Sequence, residues 1–119
     1  MMIWAFIRNA LGLEPLPWDE RLAARLPGKY VILGLRYVGL NGAPDRLEQK
    51  HGVIATADRL EGIAVKLQGS DHGEFHWMPP QTSTLKRARP GTYRLKGSGD
   101  VVENPDYLAT WTVTAPEGG

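Results

Sequence analysis

The strongest constraint on this chain is a change of hydrophobic period at Lys29. Before it, apolar residues recur at helical spacing. After it they recur at every second position, the period of a strand with one buried face. In Tyr30–Val38 the residues Val31, Leu33, Leu35 and Tyr37 are apolar, while Gly34 and Arg36 fall on the other face. Leu40-Asn41-Gly42-Ala43-Pro44 is a turn cluster in which Asn-Gly marks a hairpin. Arg46–Ala57 reads as a second strand. Leu47, Gln49, His51, Val53 and Ala55 point one way and Arg46, Glu48 and Lys50 the other, with Gly52 marking a bulge or bend. Ile63, Val65 and Leu67 form the inward face of a third strand, and Phe75 and Trp77 that of a fourth. Pro79-Pro80 ends the fourth, because proline has no N–H to give to a ladder. Thr82–Ala88 predicts a short turn of helix, and Thr92–Lys96 a fifth strand with Tyr93 and Leu95 inward. Val101-Val102 suits a brief pairing, and Leu108–Thr114 a last strand around Trp111. Trp77 and Trp111 are the expected core anchors.

Short strands separated by turns at intervals of about eight to twelve residues point to an all-β sandwich or barrel. One apolar face per strand favours a mainly antiparallel sheet closed on itself. The expectation is a small SH3-like or related barrel over residues 29–119. One or two short helices in residues 1–28 would cover an end, the whole being one domain. Trp18, Leu22 and Leu26 form the stripe of one helix, with Asp19 and Glu20 in its first turn, where acids suit the helix dipole, and Pro27-Gly28 after it. Ile3, Phe6, Ile7, Ala10 and Leu11 form the stripe of another. The run Met1–Leu11 lacks the charge order of a secretory signal and is too short to span a membrane. It is expected to cap the barrel or to build a homodimer contact, with membrane attachment ranked last.

The chain has no cysteine, which removes disulfide scaffolds, zinc ribbons, iron–sulfur sites and thiol nucleophiles. Net charge is +1, so no long-range field steers polyanions. The charge is nevertheless uneven. Lys86, Arg87, Arg89, Arg94 and Lys96 fall within eleven positions with no acid among them, and Asp100, Glu103, Asp106 and Glu117 follow with no base. Small barrels bind nucleic acid with such strips. The simpler expectation is that Glu103 and Asp106 fold back on Arg94 or Arg89.

Trp77-Met78-Pro79-Pro80, Ala88-Arg89-Pro90-Gly91-Thr92-Tyr93-Arg94-Leu95, Val101-Val102-Glu103-Asn104-Pro105-Asp106-Tyr107 and Thr110-Trp111 together resemble a group of short uncharacterised bacterial proteins. The resemblance rests on turn and strand residues. It implies a bacterial cytoplasmic setting and carries over no activity and no catalytic residues.

Other constellations were weighed for chemistry. His72, Glu74 and His76 share a face if their segment is extended. The two histidines would then stand about 13 Å apart, too far for one metal ion. The alternative is a Glu74–Lys66 cross-strand pair beside solvated histidines. His51 lies in phase with Leu47 and Val53 and reads as a hydrogen-bonded structural histidine. Acid–base chemistry at it would need a convergent partner, and a cluster of His51, His76 and Glu48 would supply one. Ser70-Asp71-His72 are neighbours in one turn and do not converge as a triad must. Gly97-Ser98-Gly99 has no following helix to make it a phosphate loop. The expected function is therefore a non-catalytic binding or adaptor module with an unknown protein partner and no cofactor. The alternatives are a small enzyme or metal-binding protein using His51, His76 and Glu74, or a nucleic-acid-binding barrel using the 86–96 strip.

Overall fold

The computed structural model describes residues 17–39 and 46–115, excluding the side chains of residues 38, 39, 111 and 113–115. One short helix and eight strands follow one another: α1 (Glu20–Arg25), β1 (Tyr30–Gly39), β2 (Arg46–Asp58), β3 (Gly62–Leu67), β4 (Phe75–Met78), β5 (Leu85–Arg87), β6 (Thr92–Arg94), β7 (Val101–Glu103) and β8 (Tyr107–Ala115). The fold is mainly β, as its period-2 patterning predicts. The expected helical turn at 82–88 is a 3-10 turn over Thr82–Thr84 that runs directly into β5. The segment Met1–Leu11 and the Asn41-Gly42 turn lie outside the described residues.

Six strands form one sheet in the order β4-β3-β2-β1-β8-β5, and β6 and β7 form a separate ribbon. Among the described residues no ladder joins β4 to β5, so the hydrogen-bonded sheet has two edges. The β1–β2 hairpin runs in register from Tyr30↔Val53 to Tyr37↔Arg46. Every pairing is antiparallel except β1 with β8, which is parallel. The sheets are thus mainly antiparallel, as expected, with one parallel ladder at β1 and β8. The starts of β1 and β8 are tied together: Tyr30 N–H donates to the Asp106 carboxylate and Asp106 N–H to the Tyr30 carbonyl, at 2.8 and 2.9 Å.

A strand in the middle of a sheet that is covered on both sides must be apolar on both sides. Val31, Leu33 and Leu35 are buried on one face, and the first two join Leu26, Ile54, Ile63, Val65, Leu67, Met78, Leu85, Tyr107 and Ala109 in the main core. Ile32 is buried on the other face, with Leu95 and Val102 of the ribbon segment and the flanking Tyr30, Tyr93 and Leu108. The ribbon thus roofs β1 and β8 (a second layer absent from the sequence reading). Helix α1 is capped by Asp19, whose carboxylate accepts from Leu22 N–H at 3.0 Å. The helix places Leu26 in the core, with Trp18 and Leu22 packed against it. Thr82 anchors its start through Asp19 N–H to the hydroxyl at 2.8 Å.

Two strand phases differ from expectation. On β4, His76 opposes Val65 and Met78 opposes Ile63, so these two face the core. Phe75 is exposed and Trp77 half-buried on the outer face. The sequence could not choose because both alternations of Phe-His-Trp-Met carry a large apolar group. On β2 the core residue is Ile54, while Leu47 and Ala55 are exposed. The irregularity lies between Ile54 and Thr56, three residues after the expected bulge at Gly52. Gly52 is needed for a different reason: a Cβ there would lie 2.8 Å from Lys66 C and 2.9 Å from Leu67 Cα, inside the backbone of β3. The side chain of Trp111 falls outside the description.

Candidate functional site

Alternation along β2 turns His51 away from the main core and toward the ribbon, opposite Ile32. It is 6% exposed and both ring nitrogens are bonded. Nδ1 lies 2.7 Å from the Tyr30 hydroxyl and Nε2 lies 3.0 Å from Asp100 Oδ2. With Asp100 ionised, Nε2–H donates to the carboxylate and Nδ1 accepts from the phenol. The Tyr30 and His51 rings lie 5.9 Å apart, tilted by 35°. Asp100 also receives Ser70 N–H and Ser70 O–H, each at 2.9 Å. One carboxylate therefore binds the link between β6 and β7 to the β3–β4 turn and, through His51, to β1 and β2. Gly69 precedes Ser70 at φ +66°, and a Cβ on it would come within 2.5 Å of His51 Nε2. Only glycine both adopts that backbone and leaves room for the pair.

The electrostatics fit a clamp. Ser70 N–H, then the His51 ring, then the Ser70 hydroxyl hold the Asp100 carboxyl down to about 2, from an ordinary 3.8. Burial, reinforced by the Asp100 charge, pushes the Tyr30 phenol up. That keeps the phenol protonated at neutral pH, the opposite of what an activated nucleophile needs. Because the folded carboxyl titrates below its unfolded value, its contribution is present above pH about 4 and is lost as pH falls toward about 2. Wild type is expected to lose stability across that window faster than Asp100→Asn, in urea denaturation midpoints measured along an acid series. Parallel curves for the two proteins would show that the carboxylate does not hold the ribbon.

The other candidates are scattered. His76 faces the core side of the sheet and His51 the ribbon side, so they do not converge. Burial lowers the His76 pKa, the Lys50 charge adds to this, and Glu48 opposes it. Lys50 Nζ lies 3.2 Å from Asp71 and 3.9 Å from Glu48. His72 and Glu74 are exposed and precede the first residue of β4, so the extended geometry that would align them with His76 is not present. No Lys66–Glu74 ion pair forms among the described residues. Nor do any three of their His, Asp or Glu side chains cluster closely enough to hold a metal ion. Ser70, Asp71 and His72 diverge: Ser70 binds Asp100, Asp71 binds Lys50, and His72 is in solvent. Gly97-Ser98-Gly99 closes the ribbon, with Leu95 N–H bonded to the Asp100 carbonyl at 2.8 Å.

The basic strip is divided by the fold. Lys86, Arg87, Arg89, Arg94 and Lys96 are all exposed, and none forms an ion pair among the described residues. The acids expected to neutralise them do not reach them. Asp106 is committed to Tyr30 N–H, and Glu103 stands opposite Thr92 on the ribbon. Arg94 borders a groove between ribbon and sheet, and Lys96 another beside Lys50 and Ser70. Arg87 shares a third groove, of about 240 Å³, with Lys29, Ala88, Pro90, Asn104 and Tyr107. Arg89, between the lining residues Ala88 and Pro90, is exposed and does not itself line the groove.

No family model, curated protein or solved structure matches the chain. No helix among the described residues is long and apolar enough to cross a membrane. Sequence reasoning missed Tyr30, Asp100 and Lys29. Tyr30 and His51 share a face by alternation, a readable clue, but Asp100 is 49 positions from His51 and no local pattern joins them.

Proposed function

We propose that the protein is a small, mainly β, non-catalytic binding module that takes an anionic polymer in the groove containing Lys29 and Arg87. The observation that supports this most is the placement of those two cations in one groove, with neither forming an ion pair among the described residues. Asp106 also lines the groove; its carboxylate accepts the Tyr30 N–H at 2.8 Å and leaves the lining with one net positive charge. The protonated Tyr30 phenol and the opposed faces of His51 and His76 weigh against the enzyme alternative. The likeness to short bacterial proteins and a cytoplasmic setting belong to the same proposal.

The experiment measures fluorescence anisotropy of a labelled single-stranded oligonucleotide, with heparin as competitor. Lys29→Ala and Arg87→Ala are expected to weaken binding several-fold each. Arg59→Ala, which removes an exposed cation paired with Glu20 away from the groove, leaves it unchanged. Equal losses from all three substitutions, or no binding by the intact chain, would remove this reading.

A further inference from the structure

The two edges of the sheet differ in a way that bears on self-association. Leu67 N–H donates to the Glu74 carbonyl at 2.8 Å, in line with the register Lys66↔Phe75 and Val65↔His76. In an antiparallel ladder bonded and non-bonded pairs alternate. His76 and Met78 therefore turn their main-chain groups toward β3, while the N–H and C=O groups of Phe75 and Trp77 point out of the sheet. Phe75 is 56% exposed beside those groups, which meet no backbone partner among the described residues. Natural edges are normally blunted by charge or proline. The opposite edge, β5, is so protected: it carries Lys86 and Arg87, and two copies would repel there. Within β4 there is no Lys, Arg, Asp or Glu. Pro79 and Pro80 limit the edge by stopping any ladder beyond Met78, but they do not cover it.

We propose that β4 is a self-pairing edge at which a second copy of this chain adds antiparallel. A two-fold axis at His76 sets Phe75 opposite the partner's Trp77 and the partner's Phe75 opposite Trp77. Both are bonded pairs, so four main-chain hydrogen bonds form and the six-stranded sheet continues into its partner. The aromatic side chains become cross-strand neighbours on the outer face, a favourable pairing. The arrangement is isologous, uses up both β4 edges and closes at two copies. Four residues a side fall well short of the roughly 1,200 Å² that stable interfaces bury, so the dimer is weak and concentration-dependent.

Sedimentation equilibrium of the intact chain tests this. The mass is expected to rise from 13.1 kDa toward twice that value as concentration increases, and to stay at 13.1 kDa throughout for Phe75→Lys. Phe75 is exposed, so the variant keeps the wild-type circular dichroism. A wild type that stays monomeric at the highest concentration overturns the proposal. So does a Phe75→Lys protein that associates like wild type, since association would then lie elsewhere, as at Met1–Leu11. The register has its own test because the chain has no native cysteine. An oxidised mixture of Phe75→Cys and Trp77→Cys proteins is expected to cross-link efficiently and each alone poorly. Equal cross-linking by either protein alone contradicts the register.

Discussion

Met78→Ala is expected to destabilise the protein by about 2–5 kcal/mol, the range for truncating a large buried aliphatic side chain. Met78 is fully buried, opposes Ile63 across the β3–β4 ladder, and belongs to the cluster that also holds Leu26 and Leu33. The other members of that cluster come from β1, β2, β3, β5 and β8 and from Leu26 just after α1, so no single element can move in to fill the void. Phe75→Ala, three residues earlier, is expected to change stability by no more than about 0.5 kcal/mol, as for other exposed positions. Urea midpoints of the two variants decide the phase of β4. A larger loss from Phe75→Ala would restore the alternation in which Phe75 and Trp77 face inward.

Gly52→Ala is expected to be nearly as damaging, although it adds only one methyl. Overpacking costs about 1–3 kcal/mol where side chains can move aside. Here the added carbon meets backbone, with Lys66 C at 2.8 Å and Leu67 Cα at 2.9 Å, so β2 and β3 must separate. Separation also strains the bond from Gln68 N–H to the His51 carbonyl, 2.9 Å long, and with it the seat of the His51 ring. The loss should therefore reach the upper part of that range or pass it. Hydrogen exchange at Gln68 should quicken in the variant more than exchange within β3. A fully stable Gly52→Ala protein would show that the strands do not approach as closely as described.

Most of the strand succession was legible because period 2 needs only a polar face and an apolar face. Val31, Leu33, Leu35, Ile63, Val65 and Leu67 lie where that rule puts them. The rule gave way where both faces carry apolar side chains. Ile32 is buried beneath a ribbon whose position no local pattern encodes, and Phe75-His76-Trp77-Met78 reads equally well in either phase. It also gave way on β2, where the buried residues change from His51 on the ribbon side to Ile54 on the core side. The parallel pairing of β1 with β8 was illegible because the strands are separated by the whole of β2 to β7. At the site, His51 is legible as a structural histidine, but its partners Tyr30 and Asp100, and Ser70 that holds Asp100, come from three other parts of the chain. The basic strip was visible as a run of residues. Its division among separate grooves, and the addition of Lys29 to one of them, came only with the fold.

The salt dependence of oligonucleotide binding tests the central proposal most directly. For single strands, the logarithm of the binding constant falls against the logarithm of salt with a slope of about −0.7 per neutralised phosphate. Two contacts through Lys29 and Arg87 predict a wild-type slope of about −1.4, made shallower by about 0.7 in Arg87→Ala. A slope near zero, or one identical in wild type and Arg87→Ala, would contradict a polyanion site in this groove.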